Sequence, residues 1–297
     1  MSIYLGQIAA LTAAACWALA TILYSRSTQT LSSMQLNFVK SLIATPLLLL
    51  VAILMPGNFW QGWDMPQFAL MLISGVIGIT IGDSLYFASL RRLGPGKTIL
   101  LEYLAPPLAA VIAWLTLRET LSLLQGLGSL IVILGVLCVI TEKQNHEGQP
   151  RKYAYYLFGV GAALCQAIGL VMAFSAFSNI EVSPIEAAFV RIGGGTLVLT
   201  VALALTQQQI FRRTQASLRH TNLKSLFFAV FVGTFLAIWL QQVAVATVSP
   251  GIAQTLLSTA PLFLLATQMV TGSKPTLRAI GGTIIAMFGI TTLFIWV

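Results

Sequence analysis

Ten runs of about 20 mostly apolar residues make up most of this 297-residue chain, and that is the length a helix needs to cross a bilayer. They fall at roughly 4–24, 34–55, 67–90, 96–117, 122–141, 154–177, 184–206, 223–246, 250–271 and 276–296. Only 8% of the residues are charged, against about 25% in a soluble domain. With a mean hydropathy of +0.89, the chain lacks the polar side chains to cover a water-soluble globule. Soluble enzymes, nucleic-acid readers and disordered proteins are thereby excluded. The expected fold is an all-α integral membrane protein of ten transmembrane helices. No Lys or Arg precedes the first run, so it reads as a span and not as a signal peptide.

The loop charges orient the chain. Counting from the N-terminus, the odd-numbered loops hold 13 of the 16 basic residues, among them Arg26, Arg91, Arg92, Lys97, Lys143, Arg212, Arg213 and Arg278. The even loops hold only Arg118, while Lys40 and Arg191 lie within spans. By the positive-inside rule the odd loops are cytoplasmic and both termini are expected outside the cytoplasm, in an inner (cytoplasmic) membrane. Trp60, Trp63 and Asp64 in the second loop suit an outer interfacial belt. The net charge of +8 is this loop asymmetry and not a nucleic-acid footprint.

The chain also repeats itself. Shifted by 155 positions, residues 78–140 lie over 233–295 without a gap, matching Ala105-Pro106 to Ala260-Pro261 and Pro95-Gly96 to Pro250-Gly251. Upstream, Phe38-Val39-Lys40 matches Phe189-Val190-Arg191 at an offset of 151, and Cys16 matches Cys165 at 149. The expected units are therefore 1–141 and 154–297, each of five spans, joined by a polar cytoplasmic linker at 142–153. Five is odd, so the second unit is inserted upside down. Inverted repeats of this kind build secondary transporters, with a substrate site near the midplane between the halves.

At this point the chain resembles the EamA-type members of the drug/metabolite transporter superfamily. The likeness lies in the helix-centre proline of the fourth span, the Leu117-Arg118-Glu119 end, Gly126 and Gly135, and the basic residues Lys40 and Arg191 near the start of the second span of each half. The resemblance implies two inverted five-helix repeats around a cavity lined mainly by spans 1, 3, 4, 6, 8 and 9. Lys274 stands where the first half has Glu119, so any role of that carboxylate is not duplicated.

Ionisable side chains at membrane depth are candidates for function. Here they are Lys40, Asp83, Glu102, Glu186 and Arg191. Asp83 precedes Arg91 by eight residues, about 12 Å of helix, and Glu102 follows Lys97 by five, about 7.5 Å, so both fall in the cytoplasmic third. Desolvation and a nearby cation act on a carboxylate in opposite senses, which suits Glu102 or Asp83 to take up and release a proton. A fixed ion pair of Lys40 with one carboxylate is the plainer alternative. Pro106, Pro107 and Pro261 near the middles of spans four and nine are expected to kink them, either as gates or as static bends. The freed carbonyls would be those of Glu102, Tyr103 and Leu257.

Polar and aromatic side chains on the presumed cavity helices complete the substrate-binding candidates: Trp17, Tyr24, Tyr86, Tyr103, Gln166, Trp239, Gln241 and Gln242. Small residues such as Gly75, Gly78 and Gly82, or Gly281 and Gly282, read as helix-packing faces. His146 and His220 lie in polar loops, and no metal set, catalytic group or cofactor motif is present in the sequence. The expected function is alternating-access export or exchange of a small polar metabolite such as an amino acid, with protons as a coupling ion. The partners are then the lipid bilayer and a small-molecule substrate, with no nucleic acid, in a monomer or a homodimer. A channel-like facilitator and a non-transporting scaffold or sensor are the alternatives.

Overall fold

A bilayer offers backbone groups no water, so an apolar chain must satisfy its own N–H and C=O groups, and the helix does this within one segment. The computed structural model describes residues 3–55, 61–117, 123–140, 153–177, 182–248, 253, 256–270 and 275–294, and these are helical with short connections. The α-helices are α1 (Ile3–Ser27), α2 (Ser33–Leu54), α3 (Met65–Gly75), α4 (Asp83–Leu101), α5 (Ala105–Leu117), α6 (Leu123–Ile140) and α7 (Ala154–Phe177). They continue as α8 (Pro184–Thr206), α9 (Ile210–Leu218), α10 (Leu223–Val230), α11 (Ala237–Thr247), α12 (Ala260–Val270) and α13 (Leu277–Phe294). Starts are capped where polar residues interrupt the apolar runs. Ser32 and Gln35 form a capping box at α2, Asp64 accepts from the Gln67 N–H at α3, and Asn222 accepts from the Ser225 N–H at α10.

Among the described residues, six helical stretches are long and apolar enough to cross a membrane, and shorter apolar helices lie at Gly126–Cys138 and Leu277–Thr292. The longest stretch, Met65–Thr116, is broken by Gly94, whose φ of 77° is open to glycine and strained for other residues. Across that break the hydroxyls of Ser89 and Thr98 meet at 3.1 Å. In a continuous helix, residues nine apart are separated by about 13 Å, so the chain doubles back here, as expected between the third and fourth spans. The loop at 207–222, by contrast, is not plain coil: it contains α9, which buries Ile210 and Thr214 and sets Phe211 edge-to-face on Phe38.

The helices pair as two related halves would. Segment α2 packs on its repeat mate α8, and α6 on its mate α13. Segment α1 packs on α11 while α4 packs on α7, and α1 packs on α12 while α5 packs on α7, which are mirrored pairings. In the α6–α13 contact, a Cβ at Gly135 would crowd Ala286 and Gly282, and one at Gly289 would crowd Val132 and Gly128. These reciprocal contacts are related by 154 positions, so the gapless 155 register slips by one residue between these last helices.

Departures from regular α-helix are repeated too. The third span contains a π-helical segment at Val76–Gly82 and the eighth contains one at Phe231–Leu236, each starting 155 positions from the other. The prolines do not kink helix interiors as the sequence led us to expect. The fourth span tightens to a 3₁₀ turn over Glu102–Leu104 and restarts as α5, so Pro106 and Pro107 occupy its first turn. The Glu102 carbonyl is not left free, because it accepts the Ala105 N–H. Likewise Ser258 and Thr259 form a turn, and Pro261 lies in the first turn of α12, where its missing N–H costs nothing. Among the described residues, Pro46 lies inside α2, and Pro95 lies inside α4 directly after the Gly94 break. Arg118, Glu119, Trp60, Lys274, Pro250, Gly251 and residues 142–152 lie outside the described residues.

Candidate substrate cavity

Where the two halves meet, the helices enclose a cavity of about 140 Å³. Its walls come from α1, both π segments, α4, the 3₁₀ turn, α7, α11 and the start of α12. These are spans 1, 3, 4, 6, 8 and 9. Two further spans each contribute one cation, Lys40 from α2 and Arg191 from α8. The π segments open the wall because an inserted residue disturbs the ladder and re-aims the side chains, a distortion common at functional sites. Gly78, Ile79 and Gly82 line the cavity from the first segment, and Gly233 and Thr234 from the second.

Four of the five candidate charges lie on this cavity. Lys40 donates to Asp83 Oδ2 at 2.5 Å, and its ammonium stands 5.8 Å from the centre of the Phe87 ring. Lys40 is nearly buried, whereas Asp83 keeps part of its surface open. Glu102 lines the same space, and its carboxylate has no hydrogen-bond or ion-pair partner among the described residues. Arg191 is 1% exposed, and among the described residues its Nε and Nη1 have no partner either. Glu186 lies elsewhere, accepting from the Trp63 indole at 3.2 Å.

Seven of the uncharged binding and kink candidates lie on the cavity wall. Trp17, Tyr24, Tyr86, Tyr103, Gln166, Gln241 and Pro261 all border the cavity. Trp239, Gln242, Pro106 and Pro107 do not. Trp239 stacks obliquely on Phe235 with ring centres 6.0 Å apart, and the buried Gln242 amide has no partner among the described residues. In an all-apolar helix, lipid-facing and core-facing positions look alike, so spacing alone did not separate Gln241 from its neighbour.

Thr21, Thr234 and Phe87 are among the lining residues that escaped the sequence reading. The Tyr24 hydroxyl lies 2.7 Å from Thr234 Oγ1, tying α1 of the first half to the π segment of the second. The Thr21 hydroxyl donates to the Trp17 carbonyl at 2.7 Å, which leaves the Tyr86 phenol to donate to Thr21 across another 2.7 Å. Phe87 meets both Tyr24 and Tyr86 edge-to-face. Thr21 and Thr234 carried no sequence signal because hydroxyls inside membrane helices usually bond their own backbone.

The glycines of the third span do more than pack helices. A Cβ at Gly75 would overlap the Arg191 carbonyl, and one at Gly78 would stand 2.9 Å from Arg191 Nη2. Gly82 faces Cys165. Gly281 has open space where a side chain would go, so the packing role expected of it is absent.

Comparison with known proteins agrees with this architecture. An "Uncharacterized transporter" of Archaeoglobus fulgidus is 25% identical over 227 residues, which cover 76% of this chain and 77% of that protein. A solved crystal structure superimposes with a TM-score of 0.69 at 14% identity, covering 98% of this chain and 96% of the other, a likeness of fold alone. The EamA-like transporter family is matched twice, over residues 4–141 and again over 154–295. Together with the apolar helices, these matches point to a multi-pass membrane transporter and not to an enzyme. The chain belongs to the EamA-like transporter family.

Proposed function

We propose that this chain is a secondary-active carrier that exports or exchanges a small polar metabolite, such as an amino acid, by alternating access. The observation that carries the reading is the cavity itself. It lies between two related halves and is walled from both, with aromatic rings, amides and two ionisable side chains of opposite sign, Glu102 and Arg191, that form no ion pair among the described residues. That is the position at which inverted repeats bind their cargo. In this reading ten helices cross an inner membrane as two inverted repeats, with both termini outside. The halves rock about the cavity, and the interrupted fourth and ninth spans bend at the turns before Pro106 and Pro261. Glu102 takes up a proton on one side and releases it on the other, while the Lys40–Asp83 pair holds α2 against α4.

Trans-stimulation separates a carrier from a channel-like facilitator. Efflux of a labelled substrate from proteoliposomes is expected to accelerate when the unlabelled compound is added outside. Efflux that is indifferent to the outside compound would replace the carrier with a pore.

A further inference from the structure

Arg191 is a buried cation that makes no ion pair among the described residues. Its Nε and Nη1 have no hydrogen-bond partner among them, and Asp83, which shares the cavity, is engaged by Lys40. Buried polar groups in folded proteins are nearly always satisfied, so an orphaned guanidinium on a cavity wall calls for a missing acceptor. The chain also makes room for this group. Gly78 of the first half and Gly169 of the second flank it, and a Cβ at either would come within 2.9 or 3.1 Å of Nη2. The fork is thus held in place at the junction of the halves by glycines, not by a carboxylate.

We propose that Arg191 is the subsite for a carboxylate on the transported molecule. Substrates are then small monocarboxylates, amino acids included, and their uncharged amides are excluded. The planar guanidinium presents paired N–H donors that match two carboxylate oxygens. With Lys40 paired to Asp83, and in the protonated step proposed for Glu102, the lining keeps one uncompensated positive charge, which suits a monoanion better than a phosphate dianion. A space of about 140 Å³ is smaller than the roughly 300–1,000 Å³ of a drug-sized site. Tyr24, Tyr86 and Phe87 give the rest of the ligand apolar walls. The proposal rests on reading the cavity as the transport site.

The test is thermal stabilisation of the purified full chain in detergent. The probes are the proteinogenic amino acids, lactate and pyruvate, the amide of each acid, and inorganic phosphate. At least one acid is expected to raise Tm, its amide requiring about tenfold or more higher concentration for the same shift. Arg191→Gln should weaken that acid by about tenfold to a hundredfold, and Arg191→Lys by less. Acid and amide acting alike, phosphate acting where no carboxylate does, no acid acting at all, or unchanged affinity in folded Arg191→Gln would each overturn the proposal. The acid–amide comparison uses the unaltered protein, so misfolding of a variant does not remove the test. Transport of an amine or nucleoside would overturn the Arg191 assignment while leaving the carrier intact. Carboxylate binding without any transport would do the reverse.

Discussion

The hydroxyls of Thr45 and Thr196 meet at 3.0 Å, and the two residues stand 151 positions apart, the offset that lays Lys40 over Arg191. Each hydroxyl also reaches the carbonyl four residues earlier, Ser41 at 2.8 Å and Ile192 at 2.7 Å, and these too are 151 apart. Equivalent residues touch only where a pseudo-twofold axis passes between them. The α2–α8 contact is therefore self-complementary at this point, and a rocking motion of the halves moves it least.

A cross-link on that axis should be tolerated. In a background lacking Cys16, Cys138 and Cys165, the T45C/T196C pair is expected to oxidise and to retain transport in proteoliposomes. Abolished transport that returns with reductant would show that α2 and α8 must separate during the cycle.

The Lys40–Asp83 pair should behave as a structural unit. Lys40→Met leaves a carboxylate facing the cavity without its cation, and Asp83→Asn strands a nearly buried ammonium. Each single change should lower Tm, and the double change should recover part of the loss. The coupling expected from such a cycle is about 1–3 kcal/mol. Strictly additive losses would mean that the two charges do not stabilise each other.

Glycine substitutions should divide by what the Cβ meets. Gly75→Ala forces a methyl into the Arg191 carbonyl and should destabilise by about 1–3 kcal/mol. Gly126→Ala meets nothing within 4 Å and should be neutral or stabilise by up to about 1 kcal/mol. Equal Tm changes for the two would contradict the packing described for α3 and α8.

The proposed proton coupling runs through Glu102, whose carboxylate borders the cavity without a protein partner among the described residues. Glu102→Gln removes the titrating group while keeping its shape. Transport by this variant should lose its dependence on pH and on an imposed proton gradient, with exchange of bound cargo retained. The same rate and the same pH profile as the unaltered chain would remove Glu102 from the coupling step.

Much of this was legible in the residues for definable reasons. Apolar runs report helices because the bilayer leaves few alternatives. The spacing of Pro95, Gly96 and Pro106 from their mates reported the repeat, and Lys40 and Arg191 were conspicuous as charges inside spans. The π segments were not legible. Val76–Gly82 and Phe231–Leu236 read as ordinary apolar helix, since one inserted residue changes the hydrogen-bonding and not the composition. The restart at Ala260 was hidden for a similar reason: Ser258 and Thr259 are tolerated within a membrane helix, and only the backbone shows that they form a turn. Nor could the sequence orient Trp239 and Gln242 away from the cavity, because lipid and protein core select the same side chains.

Counterflow in proteoliposomes tests the central claim most directly. Vesicles preloaded with an unlabelled amino acid, small organic acid, nucleoside or organic cation would receive a trace of the same compound in labelled form. The account predicts a transient overshoot, with label rising above its equilibrium level before falling, for at least one small carboxylate. Label that climbs smoothly to equilibrium without overshoot would identify a pore. No entry of any compound into vesicles holding folded protein would contradict the assignment of this cavity to transport.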